Sequence, residues 1–419
     1  MQSKVGSIPR TKISLSTREL LQFIFSLFCA PSTKIRKQKI RDFEVAFSAR
    51  YNFPQGLAVC KARTSFFLVL QALPLEKGGE VIISGLHIAD FVNMIRLAGF
   101  IPIVADLEEN GLSVNPRDLE KKITTRTQLV LVTHLSGYAT NMEQILRITK
   151  PLGIFVIEDC SQSVTSSINN RMLGTFGDAA IFSLSLLKPI CTIEGGFVLS
   201  RNRSLIEKLR EQTSSWSSSS RISLLIGAIK NLTIKIATNQ IFFALFTRYL
   251  LLTINRTTSD PFSSFQKQNN SVSLRRTMPP HFLRSFSWQQ AALGLNQLTT
   301  LENRENSRFR AAERLYKNIK TTSYITLPKL NSLTESSFWL FPIFATERHK
   351  LKRYLLAHGI DSSELLLSCL AKETAFSGLN FSSPNANIHQ KNILFLPVYP
   401  HMSNAETDKI IRIINEYFG

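Results

Sequence analysis

From residue 57 to residue 200 the chain alternates short runs of Val, Ile and Leu with helical segments, and few architectures accept that rhythm. Apolar strands are expected at 57–60, 80–84, 102–106, 129–134 and 155–159. Helical spacing precedes and separates them at 43–51, 66–72, 88–97, 116–123 and 142–150, with Asn115 placed to cap the fourth. Strands that are apolar on both faces are buried on both faces, which means a mostly parallel sheet covered by helices. Two further strand-like segments follow at 178–184 and 195–200, then a serine-rich patch at 214–220. A new helical pattern begins at Trp288 and runs to 319, and the last hundred residues return to an α/β pattern ending in a helix over 404–417. A length of 419 residues exceeds one compact core. The expected division is a basic apolar leader (1–42), a large α/β domain (43–211), a basic apolar insert (212–285) and a smaller C-terminal α+β domain (286–419).

Ligands of such sheets gather at the carboxyl ends of the strands, and one spacing there carries chemistry. A strand ends in Glu158-Asp159, and Gln162 follows three residues later. Gly177-Asp178, Phe182-Ser183, Lys188 and Glu194-Gly195-Gly196 come next. Pyridoxal phosphate needs parts of this kind. A lysine must form a Schiff base with its aldehyde and shuttle protons. A carboxylate must keep the ring nitrogen protonated, and hydroxyls and N–H groups at a strand–helix junction must hold the phosphate. A strand-end aspartate such as Asp159 is costly to bury without a cation, and a protonated ring nitrogen is a suitable one. Taken singly, such an aspartate is an ordinary loop carboxylate and such a lysine a surface charge; the reading rests on order and spacing.

With these motifs in place, the sequence resembles the DegT/DnrJ/StrS-type sugar aminotransferases over residues 42–210 and again over 285–419. The resemblance is carried by Phe43-Glu44 with Phe47, Gly79-Glu80-Val81-Ile82, Ala98-Gly99 with Pro102, and His134 to Gly137 with Asn141-Met142. It continues through Ile157 to Ser163, Gly177 to Ser183, Lys188, Glu194-Gly195-Gly196, Gln290 to Gly294, and Leu396-Pro397 with Pro400. It implies the aspartate aminotransferase (type I) fold and pyridoxal 5'-phosphate as cofactor. It also implies a homodimer whose substrates are an amino-acid donor, glutamate first, and a nucleotide-linked keto sugar of glycan biosynthesis. Residue by residue, Lys188 is implied as the Schiff-base lysine, Asp159 as the partner of the ring nitrogen, and Gln162 as a neighbour of the ring hydroxyl. Ser183 and Thr64 are implied as phosphate ligands. The chain departs from the family where Arg63 replaces a phosphate-loop glycine, with a guanidinium able to take phosphate instead. Ile88, beside His87, stands where the family places an aromatic over the ring, so stacking there is apolar or falls to His87. The family's Asn-x-Arg-Met segment has no counterpart near Leu283-Arg284-Ser285-Phe286.

The formal charge of +20 concentrates outside this machinery. Residues 1–42 hold nine Lys/Arg against two acids, and residues 212–285 hold nine against one. Both segments also contain apolar runs, at 20–30 and 223–254. Basic and apolar together suit an amphipathic helix on an anionic bilayer surface, or a helical hairpin packed on its own domain or on a partner subunit. A spanning helix over 236–254 is the minor case, with Arg248 near its middle. Residues 1–30 superficially resemble a signal peptide but lack a small-x-small cleavage pattern. Five scattered cysteines without a CxxC argue against a disulfide framework or a metal site and for a reducing, cytoplasmic compartment, with peripheral placement at the inner membrane face left open. No nucleic-acid signature is present. Two other readings stay open: a pyridoxal-phosphate enzyme acting on a lipid-linked substrate, and a non-catalytic binding or regulatory member.

Overall fold

In the computed structural model, which describes residues 6–254, 273–330, 336–364 and 367–417, the apolar runs assemble into one seven-stranded sheet. Its first half contains β1 (Gly56–Val59), β2 (Glu80–Ser84), the two-residue β3 (Leu86–His87), β4 (Ile101–Ala105), β5 (Thr127–Thr133) and β6 (Phe155–Asp159). A small hairpin, β7 (Ser167–Ile168) and β8 (Arg171–Met172), precedes β9 (Ala179–Ser183) and β10 (Gly196–Leu199). The spatial order of the large sheet is β1-β10-β9-β6-β5-β2-β4. Strands β4, β2, β5, β6 and β9 run parallel. At one edge β10 runs antiparallel to both β9 and β1. This is the mostly parallel α/β sheet expected from the sequence.

Alternation along each strand sends neighbours to opposite faces, and two helical layers receive them. Val81, Ile83, Leu129 and Leu131 pack beneath α3 (Ala62–Ala72), α4 (Asp90–Leu97) and α7 (Arg203–Thr213). Ile82, Val130, Val156 and Phe197 pack beneath α2 (Thr33–Ala49), α5 (Pro116–Lys122) and α6 (Met142–Thr149). Asn115 caps α5 as expected, accepting from the N–H of Arg117. Helix α2 starts well before residue 43, because Ser32 caps it and the basic residues 34–41 form its exposed side. Its buried Glu44 accepts the Ala58 N–H at 3.0 Å and Arg210 at 2.9 Å, tying the helix to β1.

A second sheet, order β11-β12-β15-β13, forms from β11 (Ile325–Thr326), β12 (Phe341–Ala345), β13 (Ser363–Glu364) and β15 (Ile393–Leu396). Between the last two, β14 (Ser368–Cys369) leaves this sheet to pair with β3, Ser368 lying opposite His87. The helices Leu301–Asn318, Arg348–Ala357 and Asn404–Tyr417 share a core with this sheet. The helical pattern of 288–319 is two helices, Trp288–Leu298 and Leu301–Asn318, parted at Thr299 and Thr300.

The leader and insert are helical and pack on the chain itself. Helix α1 (Thr17–Ser26) opens with a reciprocal cap: Glu19 Nα–H donates to Ser16 Oγ, and the Glu19 carboxylate accepts the Ser16 N–H at 2.7 Å. The insert supplies α8 (Arg221–Ala237), a short helix Gln240–Phe242, a π turn Phe243–Thr247 and a last helix Arg248–Ile254. Leu20, Phe23 and Leu27 of the leader meet Leu224, Ala228 and Ile234 of α8 in one cluster with Cys191 and Ile193. Among the described residues no helix is long and apolar enough to cross a membrane. The run 236–254 is instead interrupted after Ala237 and distorted by the π turn. Arg256, Asp260 and Lys267 of the insert lie outside the described residues.

Candidate active site

Asp159 ends β6 with Thr133 of β5 and Ile181 of β9 as its register partners, at the carboxyl edge of the parallel strands. Its side chain is buried and accepts the Ser161 N–H at 2.9 Å. Burial works against this carboxylate, but the His87 ring and Ser161 more than offset it and hold the carboxyl below its ordinary range. His87 lies on β3 with Nε2 at 3.3 Å from Asp159 Oδ2, an ion-pair distance whose angle falls short of a hydrogen bond. The ring leans on Phe91, 4.3 Å between centroids. Pairing of β3 with β14 fixes His87 from the second sheet's side.

Lys188 lies in the loop between β9 and β10, buried, with its ammonium 3.5 Å from the centre of the Trp339 ring. Burial brings its amine down to about 7, with Asp159 acting in the opposite direction. The loop is held in a demanding shape. Leu187 has φ 68°, a left-handed conformation that a branched side chain adopts only at a cost of about 1–2 kcal/mol. Trp339 Nε1–H donates to the Leu187 carbonyl at 2.7 Å, and Leu186 and Leu187 pack against the leader–insert cluster. The leader and insert therefore buttress the loop that carries Lys188.

Sequence reasoning missed Trp339. It stands 151 residues beyond Lys188 in a segment without a motif, so no spacing signals the contact. The approach of that segment depends on Gly137: φ is 82°, and a Cβ there would overlap Ser337 Oγ and the backbone nitrogens of Phe338 and Trp339. The glycine of the His134–Gly137 motif thus permits the closure over Lys188. Gln162 also serves this turn, its Oε1 accepting the Ser136 N–H at 2.6 Å where Ser136 has φ 58°.

Ser183 ends β9 with Oγ 2.9 Å from Ser185 Oγ. It is registered with Gly196, where a Cβ would collide with the Lys61–Ala62 backbone, so Ser183 and the N-terminus of α3 adjoin across β10. Lys61 begins α3 without a side-chain cap and pairs through Nζ with Glu194 at 2.7 Å. Two expected phosphate groups are engaged elsewhere. Thr64 Oγ1 donates to the Phe282 carbonyl at 2.8 Å. Arg63 pairs with Asp90 at 2.7 Å and lies over the Phe282 ring, while Arg275 takes the other Asp90 oxygen at 2.7 Å. Ile88 is partly buried between two apolar clusters. Lys188, Asp159 and His87 are therefore gathered, Ser183 faces the helix start, and Thr64 and Arg63 are turned to their own chain.

Nearby His134, Glu158 and Cys160 lie within 4.8 Å of one another. The Glu158 oxygens already accept the N–H groups of Gly174, Phe176 and Gly177, and His134 Nε2 is 3.2 Å away. The cluster clamps the Gly174–Gly177 turn and leaves the carboxylate no free lone pair directed at a metal.

The DegT/DnrJ/EryC1/StrS aminotransferase family model matches residues 30–223 and 286–415. The chain belongs to the DegT/DnrJ/EryC1/StrS aminotransferase family. The spore coat polysaccharide biosynthesis protein SpsC of Bacillus subtilis is 26% identical over 90% of this chain and 89% of its own length. GDP-perosamine synthase of Escherichia coli O157:H7 is 34% identical over 43% of this chain and 50% of its own. The E. coli GDP-4-keto-6-deoxy-D-mannose-3-dehydratase, solved with hydrated pyridoxal phosphate bound, superposes with a TM-score of 0.74 at 19% identity, covering 98% of this chain and 100% of that one. The type I fold is thereby shown.

The family's cofactor is pyridoxal 5'-phosphate, and the residues present fit it. Two buried hydroxyls without hydrogen-bond partners lie at the strand ends beside Asp159 and His87: Ser84 Oγ at the end of β2 and Thr133 Oγ1 at the end of β5. Burying them unmatched costs about 1–3 kcal/mol each, and a ring bearing a basic nitrogen and polar substituents offers partners. The uncapped start of α3 beside Ser183 and Ser185 suits a phosphate.

Proposed function

We propose that this enzyme moves the amino group of an amino acid, glutamate first, onto the keto carbon of a nucleotide-linked sugar in the synthesis of a cell-surface glycan. The reading is carried by one observation: an amine brought to about 7 by burial, under an indole and in the field of a buried carboxylate. Such an amine is nucleophilic at neutral pH and can both take and return a proton. When bound, pyridoxal phosphate supplies the aldehyde that receives the amino group and the ring that accepts the electron pair of the broken C–H bond.

The chain's own residues do the rest. Lys188 Nζ would take the proton from the donor's α-carbon and return it two atoms away, across the nitrogen, and would do the reverse for the sugar. Asp159 holds the proton on the ring nitrogen, and His87 fixes the Asp159 carboxylate from the side. Ile88 offers an apolar contact to the ring, and Gln162 keeps the turn at Ser136 against it. Ser183, Ser185 and the first turn of α3 take the phosphate; Thr64 and Arg63 join them only by releasing Phe282 and Asp90. Trp339 keeps water from Lys188. The cofactor domain in this account is 43–211, with 286–419 closing over it. The relatives named for a polysaccharide and for GDP-perosamine support a sugar acceptor.

Following the family resemblance, we take the working form to be a homodimer in the cytoplasm, a compartment that suits five free thiols. A lipid-linked acceptor is the second reading, favoured by the exposed apolar helices described next. Incubation of holoenzyme with glutamate and soluble nucleotide keto sugars should give amino sugar and 2-oxoglutarate in equal amounts. Conversion of glutamate without any soluble acceptor being aminated would favour the lipid-linked reading, and no conversion of any donor would end the proposal.

A further inference from the structure

The outward face of the leader and insert is apolar and basic at once. Fourteen of the twenty large apolar side chains exposed among the described residues fall within 21–35 and 222–250. Helix α8 has two apolar faces. Leu224, Ala228 and Ile234 point into the cluster shared with α1. Ile222, Ile226 and Ile229, spaced four and three apart, form an opposite stripe that is half or more exposed. Helix α1 and the turn that follows it repeat the pattern: Leu20, Phe23 and Leu27 face inward, while Phe25 (72% exposed) and, just past the helix, Phe28 (73%) face out. A helix resting on its own domain in water carries a mostly polar outer face, whereas these two mix large apolar side chains with cations there.

The charge around them selects the partner. Arg18 of α1 and Arg221 and Lys230 of α8 are exposed, as are Lys34, Arg36, Lys37, Lys39 and Arg41 on the following helix α2; the one carboxylate within residues 17–41 and 221–254, Glu19, is half-buried. A second copy of this chain would bring the same cations against them, and like charges across an interface are unfavourable. An anionic phospholipid surface offers phosphate to the cations and acyl chains to the phenylalanines and isoleucines. The family match leaves out residues 1–29 and 224–285, which hold α1 and all but the first three residues of α8.

We propose that the outer faces of α1 and α8 dock the enzyme on an anionic phospholipid bilayer, the helices lying in the interface plane with Phe25, Phe28, Ile222, Ile226 and Ile229 inserted. The proposal stands apart from the chemistry at Lys188. The full chain is sedimented with vesicles of phosphatidylcholine alone and with about one-third phosphatidylglycerol. The wild type should bind the anionic vesicles at least about tenfold more tightly than the neutral ones, less so as salt rises. The variant F25S/F28S/I222S/I226S/I229S, whose changed side chains are all exposed, should lose about tenfold or more of that binding. A charge variant, R36S/K37S/K39S, should lose preference for the anionic vesicles while keeping its packing. Equal binding to both vesicle types, no binding to either, or unchanged binding by the five-serine variant would overturn the proposal. So would light scattering that shows a wild-type oligomer dissolved by the five serines without any vesicle binding, because another copy would then cover the surface. Amino transfer in solution should be the same in wild type and five-serine variant, and failure of either assay leaves the other readable.

Discussion

Replacing Lys188 with methionine should stabilise the cofactor-free protein, by an amount that depends on pH. Burial brings the Lys188 amine from 10.5 to about 7. The unfolded chain therefore takes up this proton about three and a half pH units before the folded chain as pH falls. Each unit is worth about 1.36 kcal/mol, so protonating the amine in place costs about 5 kcal/mol. Because the folded value is depressed, the stability linked to the neutral amine is full above about pH 10.5, declines as pH falls towards 7, and is lost below it. Methionine binds no proton, has a similar length, and can lie against Trp339. The variant should match the wild type near pH 10.5 and exceed it by about 5 kcal/mol near pH 6, measured by urea unfolding at constant salt. A difference that stays constant across that range would refute the reasoning, since the amine would then not be the group that loses its proton on folding.

Asp159→Asn should leave the fold intact but lower amino transfer by about a hundredfold or more, because the amide cannot keep a ring nitrogen protonated; steady-state rates check this. Trp339→Ala should admit water to Lys188 and raise its amine by about one pH unit or more, seen as an upward shift in the pH profile of its chemical labelling. Gly137→Ala places a Cβ against the Phe338 and Trp339 backbone at a left-handed φ, and should cost about 2–3 kcal/mol in thermal or urea unfolding.

Much of this molecule can be read from its sequence, and the exceptions share a cause. The parallel strands and the Asn115 cap are local patterns, and each appears as read. Reversal of β10 and β1 at the sheet edge is invisible locally, since an apolar run reads alike in either direction. The early start of α2 was masked by charge: residues 34–41 look like a tail, yet they are the solvent side of a helix whose Phe43 and Phe47 are buried. In the insert, the apolar residues of α8 occupy both faces, which composition cannot divide into a packed and an exposed set. Trp339 over Lys188 and β14 on β3 are contacts across long stretches of chain and leave no trace in spacing. Arg63 is diverted to Asp90, which also takes Arg275 from the insert, again a tertiary event.

The central claim is that Lys188 is the lysine that carries the cofactor. Purified protein is mixed with pyridoxal phosphate, reduced with borohydride, digested and mapped by mass spectrometry. The account predicts a visible absorbance band before reduction and one pyridoxyl group on the peptide containing Lys188, both lost in Lys188→Met. A colourless protein, or label spread over surface lysines with that peptide unmodified, would contradict it.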